Sequence, residues 1–118
     1  MNDLRGLEHI KKILDDKLFN AINRISEFEA SKIQEVRLRL GKNLSICILD
    51  KEYFVTEKGK LTQQASEGIK IDQYDIDTTF SIACQYSLHS FQKELSQGYI
   101  TVNGGNRIGI CGTAVIKN

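Results

Sequence analysis

The feature that most limits what this chain can fold into is a strict alternation of apolar and polar side chains on either side of one glycine. Val36, Leu38 and Leu40 alternate with Glu35, Arg37 and Arg39; Gly41, Lys42 and Asn43 follow; then Leu44, Ile46 and Ile48 alternate with Ser45 and Cys47. A period of two places every apolar chain on one face of a strand, so this stretch predicts a β-hairpin. A three-residue loop would match Leu40 with Leu44, Leu38 with Ile46 and Val36 with Ile48, apolar against apolar throughout. A turn at Asp50 and Lys51 would then pair Tyr53 with Ile48 and Val55 with Ile46, and Lys58 and Gly59 would reverse the chain into Lys60 and Leu61. The expectation is an antiparallel meander whose single greasy face must be covered by helices.

The helices have their own signature. Leu4, Leu7, Ile10, Ile13 or Leu14, Leu18, Ile22 and Ile25 recur every three or four residues among charged neighbours, which predicts amphipathic helix over residues 3–26, divisible at Asp15 and Asp16. Such a stripe reads as a core face, although a separate piece before Asp15 could serve as a docking helix. Residues 62–70 are polar and read as a loop with a brief extended stretch around Ile69 and Ile71. Asp72 is placed to cap a helix with Asp75 at its third position, and Ile76, Phe80, Ala83 and Tyr86 or Ser87 follow at helical spacing. Ser87 could cap a second helix with Leu88, Phe91 and Leu95 as its stripe and Gly98 as its stop.

Residues 98–112 combine two β-type runs with a cluster of Asn and Gly, the composition of a hairpin turn. Matching Val102 with Ile108 and Ile100 with Ile110 puts four apolar chains on one face and leaves residues 104–106 as the loop; Arg107, Gly109 and Cys111 then share the other face with Tyr99 and Thr101. Gly98, Gly109 and Gly112 suggest bends or a close approach by another backbone or ligand, or simply a twisted sheet corner. The second strand is expected to run on through Thr113 to Ile116. The expected fold is therefore α+β: an N-terminal helical segment over residues 1–30, then a domain over residues 31–118 in which an antiparallel meander carries helices on one face and ends in a β-hairpin.

Composition excludes several classes of function. At 41% hydrophobic and 26% charged residues the chain is neither disordered nor built of membrane spans. Its net charge of +1 offers no basic excess to suggest nucleic acid as a partner. The N-terminus lacks the pattern of a secretory signal, which points to the cytoplasm. Cys47, Cys84 and Cys111 are odd in number and widely spaced, so they read as free, mostly buried thiols and not as a disulfide or zinc framework. His9 and His89 stand isolated, as ordinary surface or boundary residues, and no metal ligands are expected.

Gly104 and Gly109 have the spacing of the P-loop glycines, but Ile110 and Cys111 stand where Lys and Ser or Thr are needed, and no catalytic acid–base pair is evident. Gly109-Ile110-Cys111-Gly112 fits the GxxG of an RNA-binding KH module, yet lies in an expected strand and not between two helices. What remains is three arginines. Arg37, Arg39 and Arg107 all fall on the non-core face of their strands, where they either form a solvated, salt-bridged surface or serve the bidentate phosphate contacts to which guanidinium is suited.

The run Glu35-Val36-Arg37-Leu38-Arg39-Leu40-Gly41-Lys42-Asn43-Leu44, then Ser87-Leu88 and Glu94-Leu95, then Gly98-Tyr99-Ile100-Thr101-Val102 with Gly104-Gly105-Asn106-Arg107-Ile108-Gly109-Ile110-Cys111-Gly112, resembles the N-terminal region of the stage III sporulation protein AA family. Order and spacing agree over most of the chain, with Asn43 in place of a usual proline and Asn106 in place of a usual histidine. The resemblance implies a cytoplasmic ATPase of the mother cell, peripheral to the membrane and similar to the motor ATPases of type II and type IV secretion. Such an ATPase is expected to form a ring, a hexamer, that serves the membrane-embedded channel proteins between mother cell and forespore. It also implies that this region is a PAS-like domain preceding the ATPase core. ATP and Mg²⁺ would belong to that core, whose P-loop and acidic residues have no counterpart here, so this stretch is expected to be non-catalytic and without a cofactor of its own. By the same resemblance Arg37, Arg39 and Arg107 would reach nucleotide phosphate in trans. The ending Ala-Val-Ile-Lys-Asn fits a piece of a longer protein. Two other readings are a free-standing PAS-like small-ligand sensor and a small RNA-binding module.

Overall fold

The computed structural model describes residues 5–86, 99–101 and 107–111. Expectations for Ser87, Leu88, His89, Phe91, Leu95, Gly98, the turn at 102–106 and the strand beyond Cys111 lie outside these residues.

Helix begins where the apolar stripe begins, and it breaks at the aspartates. α1 spans Arg5–Lys11, α2 Asp16–Asn23 and α3 Glu27–Ala30. Asp15 ends the first turn of chain and starts the next helix: its carboxylate accepts from the Leu18 amide at 2.9 Å, satisfying one of the orphan donors of a helix start. The expected helical stretch over residues 3–26 is thus divided at Asp15 and Asp16, and a third short helix not expected from the sequence follows, capped by Ser26, which accepts from the Glu29 amide while donating to the Glu29 carboxylate. Leu7, Ile10, Leu18, Ala21 and Ile22 are buried along the stripe.

The strands are β1 Glu35–Arg39, β2 Ser45–Ile48, β3 Lys51–Val55, β4 Leu61–Thr62, β5 Tyr99–Thr101 and β6 Arg107–Cys111, with α4 over Gln73–Tyr86. β1 to β4 form the antiparallel meander. The sheet as a whole is mixed, however, in the order β4-β3-β2-β1-β6-β5, because β6 runs parallel to β1 and pairs with all of it, Glu35 opposite Arg107 through Arg39 opposite Cys111. The expectation of a purely antiparallel sheet fails here. A meander leaves β1 with a free row of N–H and C=O groups, and alternation within each strand says nothing about which distant strand will take that edge.

The faces hold while the registers move. Val36 pairs with Ile46, Ile46 with Tyr53 and Ile100 with Ile108, each two residues from the expected partner. A two-residue slip leaves every side chain on its original face, so burial alone does not decide against it; turn geometry does. The β2–β3 turn falls on Leu49 and Asp50, both with positive φ (51° and 63°), the twist that matches a tight hairpin, and not on Asp50 and Lys51. β1 likewise stops at Arg39, and Leu40 is 40% exposed. Leu44, its expected partner, is buried and donates its amide to the Ile69 carbonyl, as the segment around Lys70 pairs with the turn at Asn43.

Most of the apolar positions expected to face inward, Leu40 excepted, then meet in one core. Val36, Leu38, Ile46 and Ile108 of the sheet are fully buried together with Leu7, Leu18, Ile22 and Ile76 of the helices, and Phe80 packs on this cluster. α4 starts as expected: Asp72 accepts from the Asp75 amide and Asp75 accepts from the Asp72 amide, each at 2.9 Å.

Candidate functional site

Since the core occupies one face of the sheet, the polar side chains of β1, β2 and β3 gather on the other. The register lays Thr62, Phe54, Ser45, Arg37, Gly109 and Tyr99 in one row across all six strands, and Glu52, Cys47, Glu35, Arg107 and Thr101 in the next. The three arginine positions expected from sequence therefore do share a face: Arg37 and Arg39 on β1, and Arg107 at the register position beside Glu35 on β6.

Neither Arg37 nor Arg39 is free. Glu52 Oε2 accepts from Arg37 Nη1 at 3.3 Å, from Arg39 Nη2 and from the Ser45 hydroxyl at 2.6 Å, so one carboxylate oxygen on β3 gathers three donors from β1 and β2. Arg37 Nε lies 3.4 Å from Glu35 Oε2 as well. Burial pushes the Glu52 carboxyl up, but the Ser45 hydroxyl and the two guanidinium groups outweigh it and hold the carboxyl below its ordinary value. Beneath them Cys47 is buried and unbonded to any other cysteine, and its thiol is pushed up by burial, which keeps it protonated and unreactive. Gly109 admits the network to the β6 side: a Cβ there would stand 3.0 Å from Glu35 Oε1.

Sequence reading missed Glu52, the group on which the arginines converge. The signal was present, since Glu52 and Phe54 alternate with Tyr53 and Val55 and so must share the polar face. It also missed a second polar centre. Asp15 and Asp75, 4% and 0% exposed, interact side chain to side chain between the start of α2 and the start of α4, and Lys17 Nζ sits 2.9 Å from Asp75 Oδ2. Burial first, then the hydrogen bond and charge of Asp75, push the Asp15 carboxyl up to about 7. Asp75 is pushed up by burial too, but the interactions with Asp15, Asp72 and Lys17 hold it below the ordinary range, so Asp15 is the carboxyl of the pair that takes a proton first. Both aspartates serve helix starts, which makes this centre structural in the first instance. Among the described residues no group of three or more His, Cys, Asp or Glu is arranged to hold a metal ion, and no helix is long and apolar enough to cross a membrane.

Fold and face together define an α+β domain with a mixed sheet, helices on one side and an arginine–glutamate network on the other. The chain belongs to the family described as sporulation stage III, protein AA, which matches residues 5–118. The stage III sporulation protein AA of Bacillus subtilis (strain 168) is 26% identical over 112 residues, an alignment that covers 95% of this chain and 33% of that protein. The chain thus spans about one third of the length of the curated relative it matches. No solved structure matches the chain.

Proposed function

We propose that this chain acts in sporulation as the non-catalytic N-terminal domain of an ATPase that resembles the secretion motors, mediating contacts with neighbouring subunits and with the membrane-embedded channel proteins between mother cell and forespore. The observation that carries the reading is the family match along nearly the whole chain, set against its coverage of only 33% of the relative's length. The domain is PAS-like in this proposal, sits in the cytoplasm at the membrane of the mother cell, and joins a hexameric ring through its own ATPase core. ATP and Mg²⁺ bind to that core. The described residues supply no phosphate cradle, and Arg37 and Arg39 are already paired with Glu52 and, for Arg37, Glu35, so no step of hydrolysis is assigned to them.

Within the same proposal Arg37, Arg39 and Arg107 approach nucleotide phosphate held by a neighbouring core. Their shared face, by register, opposite the buried Val36, Leu38 and Ile108 supports this. A phosphate would have to compete with Glu52 for Arg37 and Arg39, and guanidinium groups are suited to such an exchange because their planar donors fit carboxylate and phosphate alike.

The test combines this chain with a separately produced ATPase core and measures ATP turnover. The chain alone is expected to show none. Arg37→Ala, Arg39→Ala and Arg107→Ala, made singly, are expected to reduce the stimulated turnover, and unchanged turnover in all three would exclude the phosphate role. Turnover by the isolated chain would overturn the non-catalytic reading itself.

A further inference from the structure

A groove of about 600 Å³ lies between the β3–β4 turn and the segment that leads into Lys70, and four lysines line it: Lys17, Lys58, Lys60 and Lys70. Their backbones are held in place. The turn carrying Lys58 and Lys60 is closed by hydrogen bonds from Gly59 to the Thr56 carbonyl and from the Lys60 amide to the Thr56 hydroxyl. Gly59 at φ +81° packs so closely on the Arg24 backbone that a Cβ would come within 2.5 Å. Lys70 is flanked by Ile69, hydrogen-bonded to Val55 of β3, and Ile71, hydrogen-bonded to Gly41 and Lys42 of the β1–β2 turn, and Lys17 is tethered to Asp75. Among the described residues the ammonium groups of Lys58, Lys60 and Lys70 have no ion-pair partner, and all three side chains are exposed. The lining holds four lysines against two glutamates, Glu57 and Glu67, and with Lys17 paired to Asp75 the positive excess comes from Lys58, Lys60 and Lys70.

We propose that this lysine groove docks an acidic peptide segment of a protein partner. Unpaired positive charge calls for an anion, and because the backbone that carries it is already fixed, only side-chain freedom remains to be lost on binding. Two features favour carboxylates on a peptide over a phosphate cluster. The cations are all lysines, point charges without the forked donors that suit phosphate. The same groove is also lined by Glu57 and Glu67, which repel a compact polyanion but can pair with a basic residue of a mixed, mainly acidic peptide. The inference uses none of Arg37, Arg39 or Arg107, so it stands or falls apart from the nucleotide reading.

The test titrates a fluorescein-labelled acidic hexapeptide with one internal lysine, EEKEEE, into the full 118-residue chain at low salt and follows anisotropy, with amide NMR shifts locating the site. Binding is expected to weaken steeply as salt rises and to shift the amides of Thr56, Gly68 and Ile69. The triple variant Lys58→Gln, Lys60→Gln, Lys70→Gln is expected to lose affinity by about tenfold or more. A charge-matched control, Lys12→Gln, Lys42→Gln, Lys51→Gln, should lose less than about threefold. No detectable binding, or equal losses in the two triple variants, overturns the proposal. So does a stronger response of the same amides to tripolyphosphate or to phosphatidylglycerol vesicles than to the peptide, which would reassign the groove to phosphate or to a lipid surface.

Discussion

Arg39 of β1 and Glu52 of β3 meet over the top of β2, joining two strands that are not neighbours in the sheet. The Ser45 hydroxyl beneath completes the bridge by donating to the same carboxylate oxygen. Glu52→Gln keeps the shape but removes the charge that serves Arg37, Arg39 and Ser45 together. We expect a loss of about 1–2 kcal/mol in urea denaturation, since the site is partly solvated and each charge-assisted bond contributes modestly. Because the Glu52 carboxyl is held below its ordinary value, its contribution is present at neutral pH and disappears as the carboxyl protonates in acid. The glutamine variant should therefore differ from the wild type at pH 7 and converge with it at low pH.

The Asp15–Asp75 pair has the opposite sign at Asp15. A carboxyl raised from 3.8 to about 7 favours the folded state when protonated, so its contribution is full below its unfolded value and is lost as pH rises toward 7. Asp15→Asn imitates the protonated form and can still accept from the Leu18 amide. It should flatten the pH dependence of thermal stability in that interval and match or exceed the wild type at pH 7. Asp75→Asn removes the buried charge that pairs with the half-exposed Lys17 and is expected to cost about 1–2 kcal/mol. If both variants behave alike, the assignment of the proton to Asp15 is wrong.

Gly41 and Gly59 both have left-handed backbones, with φ of +78° and +81°, but only Gly59 is crowded. Gly41→Ala meets nothing within 4 Å and should cost only the conformational penalty of about 1 kcal/mol. Gly59→Ala must in addition push the β3–β4 turn away from Arg24, and we expect at least about 2 kcal/mol more. Chemical denaturation of the two variants side by side checks the difference.

Leu49 is 76% exposed at the tip of the β2–β3 turn with φ of 51°, a conformation that suits Asn or Gly far better than leucine. Leu49→Asn should stabilise the chain by about 0.5–1 kcal/mol, measured as a rise in melting temperature. A fall would mean that the exposed leucine makes a contact in the folded chain that outweighs its backbone strain.

Where the chemistry is local, sequence and structure agree. Asp72 and Asp75 form the cap their spacing implies, Ile69 and Ile71 form the short extended stretch, and Lys58 and Gly59 turn the chain into β4. The candidate site was half legible: the alternation in β1 put Arg37 and Arg39 on the polar face, while Glu52, written in the same alternation one hairpin later, went unread. The Asp15–Asp75 contact had no sequence signal, because nothing local links a helix cap at residue 15 to one at residue 75.

By itself the sequence determined which side of each strand is buried, where the first helices break, and which residues cap them, since these follow from period, side-chain volume and the hydrogen bonds available within a few residues. Only the tertiary structure decided that β6 lies parallel to β1, that the β1–β2, β2–β3 and β5–β6 pairs sit two residues from their simplest register, and that two aspartates from distant helices are buried against each other. Those outcomes depend on which unpaired edge, turn or buried charge finds a partner across the fold, and the alternatives leave the local pattern unchanged.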